Sequence, residues 1–369
     1  MDKGNTRFFL IDSFRGIASV WILALHILPS YLPDINWLVS FIKFGRIGTD
    51  FFFVASGFVS AIACHKILSS KSNTGFALKR LKKIYSIYLY SLLLALIIVP
   101  FLMGCISFLQ SKEFVVDFNL PSINDLFLYI SLAKVFTSET WALNRAFAEV
   151  NGVYWFIAVM VQIYLLLGIA LKFKSKFYYI ILSTFLLSLM CLFEGFKNHL
   201  PIGLFLPSFS KFFIGMILYF FILKRHKFNN NIVTSLLVVA CFCLFGLVIS
   251  LHLNGFKGDN YRVLSALTIS LLLYLMHPLD RTIKNSLFGK ITLWLGSFSY
   301  STYLNHVIFW PFMYMFVSNL IPLPLSISVP LILVPLVLIC CFVAHKLFDN
   351  PGLVYYSKQI TGLKHFLRT

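Results

Sequence analysis

The chain has 369 residues, of which 59% are hydrophobic, 17% aromatic and only 12% charged, with a formal net charge of +18 and a mean hydropathy of +0.86. A soluble domain carries about twice that share of charge, so these values exclude a soluble protein with one anchor and describe a polytopic membrane protein. In a soluble chain the basic excess would suggest nucleic acid; here it is distributed between apolar runs as a topology signal, and no nucleic-acid partner is expected.

The apolar runs predict about ten spans, at roughly 16–32, 49–68, 84–108, 153–172, 177–193, 209–223, 232–253, 263–279, 293–317 and 326–346. With the N-terminus inside, the cytoplasmic segments hold about 22 of the 31 Lys and Arg and the outer segments about 9. Both termini are therefore expected in the cytosol. The expected fold is all-α, a polytopic transmembrane helical bundle formed by residues 1–369 as a single domain, with no appended soluble domain. The first span is not read as a signal peptide, because Asp12, Arg15 and His26 interrupt it and no small-x-small cleavage site follows. The seven cysteines fall in or beside apolar runs without metal-ligand spacing, so they read as small buried hydrophobes and no metal is expected.

The first block is IDSFRGIASVWILALH, residues 11 to 26. Arg15 and His26 are eleven steps apart, about three full helical turns, so both share one helix face roughly 16 Å apart along the axis. One helix thus carries a cation near one membrane surface and an ionisable ring near mid-bilayer. An intramembrane histidine is costly in hydrocarbon and is a functional-site candidate by default. Asp12 and Arg15 are spaced to pair on one turn.

The second block is FGRIGTDFFFVASGF, residues 44 to 58. Gly45, Gly48 and Gly57 permit close helix packing. Asp50 stands at the outer end of an aromatic run, and Arg46, one turn earlier, is its nearest expected partner. The third block is FALKRLKKIYSIYLY, residues 76 to 90, where Lys79, Arg80, Lys82 and Lys83 form a cluster on the cytosolic side of the third span. As a stop signal for topology it needs no further role; as a binding element, Arg80 and Lys83, one turn apart, are placed to grip one phosphate together.

Together these blocks resemble the acyltransferase 3 family of integral membrane O-acyltransferases. The resemblance rests on Asp12-x-x-Arg15-Gly16, the Arg15/His26 spacing, the Gly45 to Phe58 block and Arg80 with Lys83. It extends to LGSFSYSTYLNHVIFWP, with Ser299, Tyr300, Tyr303, Leu304 and His306, and to the closing FDNP at residues 348 to 351. Two departures stand out. Lys83 replaces the second arginine of the family's Arg-x-x-Arg, and WFIAVMVQIY keeps Trp155, Gln162 and Tyr164 but has Met160 and Val161 where many relatives carry two carboxylates, a role left to Glu149 or Asp50.

The resemblance implies transfer of an acyl group, acetyl above all, from cytosolic acetyl-CoA or another acyl-CoA to a hydroxyl of a surface polysaccharide or lipid-linked glycan such as O-antigen, in the bacterial inner membrane. It makes His26 the catalytic base or a transient acyl carrier, with Asp12 and Arg15 as further catalytic candidates. Arg15, Arg80 and Lys83 then hold the phosphates of CoA, while Asp50, Trp155, Tyr300 and His306 are candidates for the acceptor side. Ser56 is a further candidate oxyanion donor. The competing reading is a transporter or flippase for a glycan or small acid. It accounts for buried ionisable groups but not for a basic cytosolic pair opposite a buried histidine.

Overall fold

The computed structural model describes residues 8–32, 36–69, 75–98, 121–223, 231–254 and 259–349, together with Pro100, Phe101, Gly104, Cys105, Ser107 and Phe108. Both termini and the Asn350-Pro351 end of the FDNP motif lie outside the described residues. All described elements are helical. In hydrocarbon every backbone N–H and C=O needs an internal partner, and helices supply one without a sheet edge. The main helices are α1 (Phe9–Ile27), α2 (Ile47–Ser69), α3 (Phe76–Leu93), α4 (Trp155–Lys172), α5 (Phe177–Met190), α6 (Leu206–Leu223), α7 (Asn231–Leu253), α8 (Asp259–Met276), α9 (Leu287–Ser297), α10 (Ser299–Leu320) and α11 (Val334–Ala344).

Among the described residues, six helical segments, at 9–30, 36–69, 152–172, 235–253, 261–285 and 325–348, are long and apolar enough to cross a membrane. The expected third, fifth, sixth and ninth spans are not among them. Part of the third lies outside the described residues, α5 has 14 residues, about 21 Å against a hydrocarbon core of about 30 Å, and the sixth is a shorter apolar helix over 206–222. α7 is apolar all round, yet Leu236, Val239 and Phe242 are exposed. A helix of that kind faces lipid.

α1 starts at Phe9, well before the expected start at residue 16. The Leu10 N–H donates to Asp280 Oδ1 at 2.8 Å, which satisfies one of the orphan donors at the helix start. Asp12 and Arg15 therefore lie within α1. The helix runs through the middle of the bundle against α2, α9 and α10, while α6 packs on α2, α5 and α8.

Glycine sets the closest of these crossings. A Cβ on Gly57 of α2 would fall on the backbone carbonyl of Phe212 in α6, and one on Gly215 of α6 would fall on the backbone of Val54 in α2. Backbone cannot swing aside as a side chain can. Gly57→Val is therefore expected to destabilise the protein by about 1–3 kcal/mol, the usual cost of overpacking. The check is the thermal midpoint in detergent, with Gly195→Val, whose site is open, as the neutral control.

Candidate active site

α1 borders two cavities at opposite ends of the bundle. The first, about 580 Å³, lies at the end where α1 begins, and the second, about 430 Å³, lies where it ends. Asp12 and Arg15 line the first cavity and His26 lines the second. The shared inward face expected from the spacing is present, but it opens into two separate chambers. His26 is the penultimate residue of α1. It therefore sits near the end of the helix, not half-way along it, because the helix extends further toward its N-terminus than hydropathy alone suggests.

The first cavity gathers cations. Arg15, Lys66, Arg80 and Lys83 line it, with Asp12 as the carboxylate among them. Asp12 Oδ1 lies 3.8 Å from Arg15 Nη1, and the Arg15 guanidinium sits 4.8 Å from the centre of the Tyr300 ring. Arg80 donates to the Val59 carbonyl at 3.2 Å, tying α3 to α2. Of the four basic residues in the cluster before the third expected span, Arg80 and Lys83 face this cavity, whereas Lys79 and Lys82 are exposed and do not line it. Helical spacing explains the split, since residues three apart share a face. Ser56 and Tyr164 also line the chamber.

The second cavity holds His26, Arg46, Trp155, His252, Tyr303 and Arg262. The His26 ring is exposed to it. Behind that ring lies His306, with centroids 5.2 Å apart. His306 is fully buried, and its Nδ1 is 2.9 Å from the Thr302 carbonyl. A carbonyl only accepts, so Nδ1 carries the proton and donates. Nε2 is then the lone-pair nitrogen; it is buried and makes no hydrogen bond among the described residues.

A thin aromatic layer separates the chambers. Tyr300 lines the first and Tyr303, three residues further along α10, lines the second. The buried Phe52 ring packs against both, at 6.2 Å and 5.4 Å between centroids.

Asp50 departs from its expected pairing. Its carboxylate meets Arg262 at 3.0 Å and Lys211 at 3.8 Å, and Ser265 donates to it at 2.7 Å. Arg46, one turn before it, instead points into the second cavity. Asp50 is fully buried and lines neither chamber; it stands behind Arg262, which does. Arg262 also donates to Thr49. Lys211 and Arg262 escape a motif search. Their signal in the sequence is the rule that a cation inside an apolar run has a reason to be there.

The positions of the missing carboxylates are packed, not polar. Met160 is fully buried, and Gln162 braces the chain between α5 and α6, donating to the Gly203 carbonyl at 2.9 Å and accepting from the Phe205 N–H at 3.1 Å. Glu149 lines neither chamber. Its side chain is 67% exposed and pairs with Lys134 at 3.7 Å.

Two chambers, one lined by four basic side chains and the other by the His26 ring with Arg46 and Arg262, give two approaches into the bundle from opposite ends of α1. The family model described as an acyltransferase domain, that of acyltransferase 3, matches residues 9–346. That stretch runs from the first residue of α1 almost to the end of the described chain. No curated protein and no solved structure matches. The chain belongs to the acyltransferase 3 family and is a multi-pass membrane acyltransferase.

Proposed function

We propose that the protein moves an acyl group, acetyl first among them, from cytosolic acyl-CoA to a hydroxyl of a cell-surface polysaccharide or its lipid-linked precursor, such as O-antigen, at the outer face of the bacterial inner membrane. The observation that carries this reading is the pair of cavities at opposite ends of α1, with Arg15, Arg80 and Lys83 in one and His26 in the other. In this reading the first cavity faces the cytosol and the second the outside, in keeping with the expected distribution of Lys and Arg.

In this reading the CoA phosphates meet Arg15, Arg80 and Lys83, and the pantetheine arm carries the thioester across the Phe52–Tyr300–Tyr303 layer to the His26 chamber. A hydroxyl is a poor nucleophile until a base removes its proton, and histidine is the usual base at neutral pH. His26 takes the hydroxyl proton as the oxygen attacks the thioester carbonyl. The tetrahedral intermediate collapses with loss of the CoA thiolate, which recovers the proton from the His26 imidazolium. The ester forms, the C–S bond breaks and no redox partner is needed. His306 holds the ring of His26 from behind, as a positioning residue.

The test uses the full chain in vesicles with labelled acetyl-CoA supplied on the Arg80 side. Label is expected on an acceptor at the opposite side. Neutralising Arg80 and Lys83 together is expected to raise the KM for acyl-CoA with little change in acceptor preference, because two cations on one face meet the same phosphates. Lys83→Arg keeps the charge and adds a planar fork, so it is expected to be at least as active as the natural lysine. An inactive Lys83→Arg beside an active Lys83→Ala would show that charge is not what the position supplies. Movement of a glycan or small acid without acyl transfer would favour the transporter reading.

A further inference from the structure

The second cavity is positive in charge. Arg46 and Arg262 line it beside the rings of His26 and His252, and among the described residues no Asp or Glu does. The nearby carboxylate, Asp50, is fully buried behind the wall and is shared between Arg262 and Lys211. One negative charge therefore faces two positive ones before Arg46 is counted. Arg46 is exposed to the cavity, and no carboxylate pairs with it among the described residues. On the outer face a cation does not serve topology, which favours lysine and arginine inside.

The geometry of the wall is also fixed. Arg262 is held between the Asp50 carboxylate, at 3.0 Å, and the Thr49 hydroxyl. Thr49 and Asp50 lie one turn beyond Arg46 on the same stretch of chain, so both guanidinium groups reach the cavity from one level. Trp155, half-buried, presents a ring to the same space, a surface of the kind on which the apolar face of a sugar stacks. The volume of about 430 Å³ lies within the range of small-molecule sites.

We propose that this chamber binds an acceptor sugar carrying an oxyanion, a carboxylate or a phosphate, beside the hydroxyl that is acylated, with Arg46 as the residue that selects it. The acceptor is then a uronic-acid residue or a sugar phosphate, not a neutral glycan. A planar guanidinium matches the two oxygens of either group. Holding the acceptor by its anion also presents its hydroxyl to the exposed His26 ring in the same chamber. The inference rests on the acceptor entering by the second cavity.

Binding of three small probes to the purified full chain by titration calorimetry tests it: methyl glucuronoside, glucose 1-phosphate and the neutral methyl glucoside. At low salt at least one charged probe is expected to bind roughly tenfold or more tightly than the neutral one, the usual scale of a hydrogen bond to a charged partner. The preference should shrink as salt rises, disappear in Arg46→Gln and survive in part in Arg46→Lys. Whichever charged probe is preferred names the source of the oxyanion. Equal binding of neutral and charged probes, no binding of either charged probe, or an Arg46→Gln variant with the natural preference overturns the proposal. A preference for charged probes in a protein that transfers no acyl group would leave the anion site standing and remove the proposed acylation instead.

Discussion

His26→Ala is expected to lower acyl transfer by about 10²–10⁴-fold, the usual contribution of a general base. Folding should be little affected. His26 is exposed to the second cavity and is not part of the packed core, and α1 becomes more apolar without it, so membrane insertion is not impaired. Acyl-CoA binding should persist, because Arg15, Arg80 and Lys83 belong to the other chamber. The measurement is transfer of labelled acetyl in vesicles, with donor binding followed separately. Transfer near the natural rate would remove His26 from the chemistry. Label retained on the natural protein when acceptor is withheld, and absent from His26→Ala, would make the ring an acyl carrier and not a base.

Asp50→Ala should be the most destabilising single change in the bundle, by about 3–5 kcal/mol, the cost of stripping one partner from a buried ion pair. The reason is the company Asp50 keeps. Its side chain is 1% exposed and stands between Arg262 and Lys211, whose own side chain is 2% exposed. Without the carboxylate the buried Lys211 and the cavity-facing Arg262 are left as neighbouring positive charges. Thermal inactivation in detergent should move to clearly lower temperature, and adding Lys211→Met should recover part of the loss by removing one of the charges. Natural stability combined with a raised KM for the acceptor would show that Asp50 touches substrate, the role its place in the motif suggests.

Hydropathy and charge are sums over local stretches, and the features that depend on them were readable from the chain: the helical class, the membrane, and the family through motifs whose order and spacing survive along one strand of text. That Arg80 and Lys83 share a helix face was readable too, since residues three apart do so whatever surrounds them; the chamber they open into was not. The start of α1 was not. Its first turns contain Asp12 and Arg15, and the side chain that caps it, Asp280, lies 270 positions away.

The partition between local and distant information runs through the site itself. The sequence by itself determined that Arg15 and His26 project from one face of one helix and that Asp50 needs a counter-charge. Only the tertiary structure decided that the two residues open into different chambers, divided by Phe52, Tyr300 and Tyr303. It also decided that Asp50 answers to Arg262 and Lys211, and that Arg46, which pairs with no carboxylate among the described residues, faces the cavity. The physical reason is range. Helix periodicity acts over a few residues, but in a low-dielectric interior a buried charge is satisfied by whichever opposite charge the packing brings within about 4 Å, and chain distance does not enter.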